Sequence, residues 1–189
     1  MEIKDYILVT DNNLPIQTIS NFIKFAKVKQ FKRAGILGGD NMSEEELKKV
    51  RDVSTYPLSL LSDNISDIHW YNIIRSIMKK NIDAYREKVP FVQYDTIQDI
   101  SILRYEKSGH YDWHTDHAAS IPRTISTILF LNNDYLGGEL MFENQITRER
   151  TTIKPQPGRF IMWPSNFLYP HTVAPVLNGV RFTVVGWLA

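Results

Sequence analysis

Ser101–Asp116, reading SILRYEKSGHYDWHTD, is the stretch on which the fold turns. Read as largely extended chain, its alternate side chains point to the same face, so His114 and Asp116 look one way and Thr115 the other. Two such side chains can hold one metal ion, and a second histidine from elsewhere in the chain would complete a two-histidine, one-carboxylate set that leaves coordination positions open. On this reading H-x-D is a strand motif. The stretch holds two pairs of that form, however. In an unbroken strand His110-Tyr111-Asp112 would share the face of His114 and Asp116, and five histidines among many acids make a chance pair common. The neighbouring and downstream residues have to choose between them.

Outward from this stretch, Ile100–Tyr105, Thr124–Leu131, Glu139–Phe142, Phe160–Trp163 and Arg181–Trp187 are short β-rich runs. Turn formers such as Asn132-Asn133-Asp134 and Gly137-Gly138 separate them. The pattern predicts an α+β fold, an antiparallel sheet pair or barrel with helices bracing one face. Ahead of it, Tyr6–Val9 reads as a short strand, followed by a turn at Asp11-Asn12-Asn13. Pro15 to about Val28 carries Ile16, Ile19, Phe22, Ile23 and Ala26 at helical spacing. Gly35, Gly38 and Gly39 suit a loop or irregular strand end within Phe31–Asp40, and Ser43-Glu44-Glu45-Glu46 is a capped helix start. Ile65 to about Arg86 reads as a long helix packing on the sheet.

Composition bounds the partners. A chain of 189 residues, 43% hydrophobic and 23% charged, fits one compact enzyme-sized domain. A net charge of +1 without long blocks of like charge argues against strong attraction to nucleic acid. With no cysteine there is no disulfide, thiolate metal site or iron–sulfur cluster. The N-terminus lacks an apolar signal core and no stretch approaches the ~18 apolar residues of a membrane span, so the expectation is a soluble cytoplasmic protein.

Surroundings favour His114-Thr115-Asp116 over the earlier pair. Tyr105, Gly109, Tyr111, His114 and Asp116 stand in a Y-x-x-x-G-x-Y-x-x-H-x-D pattern. Tyr135-Leu136-Gly137-Gly138-Glu139-Leu140-Met141-Phe142, Pro155 with Gly158, and Trp163-Pro164-Ser165 follow. His171-Thr172-Val173, Pro175-Val176, Gly179, Arg181-Phe182-Thr183 and Trp187 complete the series. The series resembles the prolyl 4-hydroxylase-like branch of the 2-oxoglutarate/Fe(II)-dependent dioxygenase superfamily, strongly over residues 100–189 and loosely before them.

The resemblance implies a double-stranded β-helix, or jelly roll, with residues 1–189 as a single domain. Residues 1–99 would be mainly helical support and first strands, and 100–189 the catalytic core. It implies His114, Asp116 and His171 as metal ligands and Arg181 as the clamp on the distal carboxylate of 2-oxoglutarate, a task suited to a planar guanidinium. Tyr105 would hydrogen-bond the same co-substrate or serve as a core tyrosine. Thr183, two residues after Arg181, would reach the same carboxylate or simply fill a strand position. Tyr111, Arg123 and Trp187 match positions lining a peptide groove, and read equally as packing and surface residues. His110 is expected to face solvent or substrate, and His69 to be structural.

The implied cofactors are Fe(II), 2-oxoglutarate as co-substrate, O2, and ascorbate as reductant. The implied activity is hydroxylation of an unactivated C–H bond, first of a prolyl residue in a protein or peptide, with release of succinate and CO2. Another residue, a free amino acid or a small metabolite is the alternative substrate, and a non-catalytic jelly-roll binding module the alternative class. Asp116 stands where related halogenases carry a small residue, which favours hydroxylation. Trp187 stands where nucleic-acid-dealkylating relatives carry a second arginine, which argues against that activity.

Overall fold

Apolar stripes at helical spacing in the first half of the chain cover one face of a sheet built mostly from the second half. The computed structural model describes residues 2–36, Gly39 and 41–189. After a 3-10 turn at Ile3–Tyr6 come β1 (Leu8–Thr10), α1 (Ile16–Lys27), β2 (Lys32–Arg33), α2 (Glu44–Val50), β3 (Arg51–Asp52), β4 (Ser54–Pro57) and α3 (Ile65–Lys88). The second half is β5 (Ile97–Tyr105), β6 (His110–His114), β7 (Ile125–Phe130), β8 (Leu136–Gly137) and β9 (Leu140–Glu143). It continues through β10 (Arg150–Ile153), β11 (Phe160–Pro164), β12 (His171–Val173), β13 (Val176–Asn178) and β14 (Arg181–Leu188).

Among the described residues these strands make a seven-stranded sheet, ordered β1-β11-β7-β14-β5-β4-β2, and a five-stranded sheet, ordered β10-β9-β12-β6-β3. A small β13-β8 ribbon closes one end. The two larger sheets enclose one core of Leu103, Tyr105, Phe130, Phe142, Trp163 and Val173. The outer face of the large sheet packs on the helices through Phe22, Trp70, Ile74, Met78 and Ile82. This is the jelly roll with helical bracing expected from the sequence. β7 is covered on both faces, Ile125 and Leu129 joining the core under the helices and Ile128 and Phe130 the core between the sheets, and all six of its residues are buried. It therefore shows no apolar–polar alternation.

Local rules explain the helices. In α1 the residues at helical spacing that turn inward are Ile19, Phe22 and Ala26. Phe22 stacks on Trp70 of α3 at 4.1 Å with an interplanar angle of 5°, which joins the two helices. Trp70→Ala would cost about 3–5 kcal/mol through the cavity it leaves. α2 begins in a capping box, the Ser43 hydroxyl accepting from the Glu46 amide while the Glu46 carboxylate accepts from the Ser43 amide. Asn64 caps α3 by accepting from the Ser66 amide. None of the described helices is long and apolar enough to cross a membrane.

Three expectations need correction. The strand read at Tyr6–Val9 starts later, because Tyr6 belongs to the 3-10 turn and the register with β11 pairs Leu8 with Met162 and Thr10 with Phe160. Ser101–Asp116 is not one strand: it breaks after Tyr105, and the Gly109 amide donates to the Glu106 carbonyl at 2.8 Å in a turn that carries the chain from the large sheet to the small one. Of the turn formers Gly137-Gly138, Gly137 instead ends the short strand Leu136–Gly137. Gly137 is required there, since a Cβ would collide with the Pro175 carbonyl. Within Phe31–Asp40 the chain forms the two-residue β2, while Gly38 and Asp40 lie outside the described residues.

Candidate metal centre

Two strands of the small sheet set the histidines beside each other. β12 pairs antiparallel with β6 so that His171 stands opposite His114. β6 ends at His114, and Asp116 lies on the bend beyond it. H-x-D is here a strand-end motif, with the bend and not the pleat bringing the carboxylate round. His114 Nε2 lies 3.7 Å from Asp116 Oδ1, and His171 Nε2 lies 3.5 Å from Asp116 Oδ2. Ligands each about 2.1 Å from one ion at right angles would stand roughly 3 Å apart, so a small contraction around a metal suffices.

Backbone carbonyls select the tautomer. His114 Nδ1–H donates to the Asp112 carbonyl at 2.8 Å and His171 Nδ1–H to the Tyr169 carbonyl at 3.1 Å. Carbonyl oxygens only accept, so both Nε2 atoms carry lone pairs toward the centre. Asp116 Oδ2 accepts from the Ser126 hydroxyl at 2.6 Å, and Ser126 bonds Ser165 at 2.8 Å. Burial and the neighbouring His171 hold the His114 imidazole well below its ordinary range, against the opposite pull of Asp116. Burial raises the Asp116 carboxyl, but the two histidines and Ser126 outweigh it and hold it low. Neutral imidazoles and an ionised carboxylate are the forms that bind a metal.

The other H-x-D pair has a different task. His110 places Nδ1 2.9 Å from the Ser108 carbonyl and Nε2 3.0 Å from the Lys49 carbonyl. It therefore ties β6 to the end of α2, stays half-exposed to solvent and does not line the cleft. His69 is exposed and meets Trp70 edge-on.

Arg181 is fully buried on β14. Its Nη1 donates to the Thr183 hydroxyl at 3.3 Å, and its guanidinium lies over the rings of Tyr105 (4.7 Å) and Phe130 (5.4 Å). Among the described residues Nε and Nη2 make no hydrogen bond of good geometry, nor does the hydroxyl of Tyr135, which burial pushes up in pKa against the opposing pull of the adjacent Arg181. A buried cation with donors to spare is costly unless an anion joins it. The donor set of Arg181 with Tyr135 fits a carboxylate, and the two imidazoles with one carboxylate fit Fe(II).

A cleft of about 110 Å3 opens over His114, Asp116 and His171, lined among others by Tyr105, Tyr111, Arg123 and Trp187. Tyr111 stacks on His114 at 3.5 Å, and Arg123 lies 3.6 Å over the Trp187 ring. The cleft wall stops at Tyr105, with Arg181 behind it. Reasoning from sequence passed over Ser126, which carries no signature of its own, and over the hydroxyls of Tyr135 and Ser165, though both lie in motifs already quoted. It also missed Arg51, which lines the cleft from the first half of the chain.

Residues 100–189 match the family model of the 2OG-Fe(II) oxygenase superfamily. A PKHD-type hydroxylase of Synechococcus sp. (strain CC9902) is 34% identical over 132 residues, covering 68% of this chain and 54% of the relative. The chain spans about half the length of the curated relatives it matches. In fold it is similar to a prolyl-4-hydroxylase of Pseudomonas putida, with a TM-score of 0.75 at 17% identity, covering 96% of this chain and 91% of that one. It is likewise similar to a Trichoplax adhaerens prolyl hydroxylase in complex with a hypoxia inducible factor peptide fragment, with a TM-score of 0.76 at 15% identity, covering 97% and 83%.

Proposed function

We propose that this chain, whose residues 100–189 match the family model of the 2OG-Fe(II) oxygenase superfamily, is an Fe(II)- and 2-oxoglutarate-dependent dioxygenase. It hydroxylates an unactivated C–H bond, first of all in a prolyl residue of a protein or peptide. The observation that carries this is one arrangement: His114, Asp116 and His171 converge in the jelly roll whose β14 carries the buried guanidinium of Arg181, two of whose nitrogens have no hydrogen-bond partner among the described residues. When bound, Fe(II) with 2-oxoglutarate and O2 supplies the oxidising power, and the co-substrate leaves as succinate and CO2.

The chain's own residues do the rest. The Asp112 and Tyr169 carbonyls aim the two imidazoles, and the Ser126 hydroxyl orients Asp116. Arg181 and Thr183, with Tyr135 beside them, hold the distal carboxylate of the co-substrate, while Tyr105 packs against the guanidinium. Leu140, Val173 and Trp163 line the inner cleft with apolar surface and limit water there. Tyr111, Arg123 and Trp187 line the cleft and grip the substrate. Prolyl substrates are favoured by the likeness to solved prolyl hydroxylases and by this aromatic–arginine rim, with another residue or a free amino acid as the alternative.

The test is an anaerobic titration of the metal-free protein with Fe(II) and 2-oxoglutarate, followed by admission of O2. A visible charge-transfer band and succinate release are expected in the wild type and in His110→Ala, and neither in His114→Ala. No band in the wild type would leave a jelly-roll binding module. A band lost in His110→Ala would move the metal to the other H-x-D pair.

A further inference from the structure

Arg51 comes from outside residues 100–189, and it reaches the site only because β3 pairs with β6, setting Arg51 opposite Tyr111. Its guanidinium lies 4.4 Å over the Tyr111 ring, whose other partner at 3.5 Å is the His114 imidazole. The Arg51 charge is thus held one aromatic ring away from a metal ligand. Nη1 donates to the Gly35 carbonyl at 2.6 Å, which fixes the side chain, while Nε is buried without a partner among the described residues. Among the described residues no carboxylate forms an ion pair with Arg51. Across the cleft, Arg123 rests on Trp187 and forms an ion pair with the exposed Asp99 at 3.0 Å, and its Nε too is buried without a partner among the described residues.

Charge along the cleft is one-sided. Two guanidinium groups line it, and the one carboxylate among the lining residues is Asp116, which is committed to the metal triad. Most other lining residues are apolar or aromatic. Such walls sharpen the field of the two cations and favour an entering anion over a cation. A planar guanidinium with free N–H donors suits a carboxylate in two-point contact.

Resting on the oxygenase reading, we infer that Arg51 and Arg123 form an anion-recognition pair at the cleft and that the substrate presents a carboxylate to it close to the carbon that is hydroxylated. That carboxylate can be the α-carboxylate of a free amino acid or the side chain of an acidic residue flanking the target in a peptide. The chemistry is the same, and the probes separate the sources.

The experiment measures binding of matched probes by calorimetry under anaerobic conditions with Fe(II) and saturating 2-oxoglutarate, which occupies Arg181. Stimulation of succinate release is then followed after O2 is admitted. The probes are L-proline against L-prolinamide, and the acetylated, amidated tripeptides Glu-Pro-Glu, Gln-Pro-Gln and Lys-Pro-Lys. At least tenfold tighter binding of the carboxylate member of one series is expected, with Lys-Pro-Lys the weakest peptide. The series that shows it identifies the source. Arg51→Glu should reverse the Glu/Lys order, and Arg51→Lys should keep the order at reduced contrast because the planar fork is lost.

Equal binding of charged and neutral members, including no binding of either, overturns the inference, as does an Arg51→Glu variant that keeps the wild-type order. A charge-transfer band with succinate release but no charge preference removes the anion pair and leaves the oxygenase. A charge preference without the band or turnover removes the oxygenase and leaves the anion pair.

Discussion

Two buried charges in this protein are treated in opposite ways. Asp67, at the start of α3, accepts from Lys29 Nζ at 2.7 Å, the Tyr56 hydroxyl at 2.8 Å and the Ser62 hydroxyl at 2.8 Å. Every one of those partners belongs to the helical half, and the network is closed. Arg181, buried more deeply, donates one hydrogen bond among the described residues and keeps two nitrogens without partners there. A charge that only braces a fold gathers its counter-charge from the chain. A charge built to receive a ligand keeps donors back, and the fold carries the cost until the ligand arrives.

Breaking the closed network has the largest expected effect. Asp67→Ala strands the Lys29 ammonium and should cost about 3–5 kcal/mol in urea unfolding. The charge-transfer band with Fe(II) and 2-oxoglutarate should be unchanged in the folded protein. Burial pushes the Asp67 carboxyl up, but Lys29, Ser62 and Tyr56 outweigh it and hold it below its ordinary value. Its contribution is therefore present above the unfolded-state value and lost as pH falls through the lower folded value, so the variant and wild-type curves should converge in acid.

Arg181→Met tests the open network and should move the two readouts apart. Without ligand, loss of an unpaired buried cation should leave melting unchanged or raise it, whereas 2-oxoglutarate should bind more weakly by about 1.5–3 kcal/mol, roughly ten- to hundredfold. A large loss of stability in the ligand-free protein would mean that Arg181 is structural, as Asp67 is. Ser126→Ala removes the hydroxyl that orients Asp116, and Fe(II) affinity measured by chelator competition should fall about ten- to hundredfold with folding intact.

The smallest effect belongs to His110. Burial lowers its pKa, but the carbonyls of Lys49 and Ser108 at its two ring nitrogens raise it by more. Only the protonated ring donates to both, so its contribution is full below the unfolded-state value of about 6.5 and is lost as pH rises through the raised folded value. His110→Gln should cost about 1 kcal/mol near pH 6 and less near pH 8.5, as read from melting temperatures at the two pH values. A cost that grows with pH would mean that the neutral ring is the stabilising form.

Much of the scaffold was legible because its signals are local. The apolar spacing of Ile19, Phe22 and Ala26, the Ser43–Glu46 capping box and the β-rich runs from Ile125 to Leu188 report on neighbours a few residues away. The strand at Tyr6–Val9 was misplaced because register belongs to the partner, β11. Gly137 lies in a strand where Gly137-Gly138 predicts a turn, because two glycines punctuate a sequence in the same way whether the chain turns or another backbone comes too close for a Cβ.

The sequence by itself determined the residue types of the centre, two histidines and a carboxylate with a guanidinium beyond them, and the α+β class that holds them. Those follow from motif spacing and periodicity, which are properties of chain distance. Tertiary structure alone decided which histidine of Ser101–Asp116 has a free Nε2, since that depends on which carbonyls meet the rings of His110 and His114. It also decided that Asp116 arrives through a bend, that Arg181 is buried with donors unpartnered, and that Arg51 stands beside Tyr111. Strand pairing joins residues far apart in the chain, and the burial that makes an unpaired donor costly exists only once both sheets have closed.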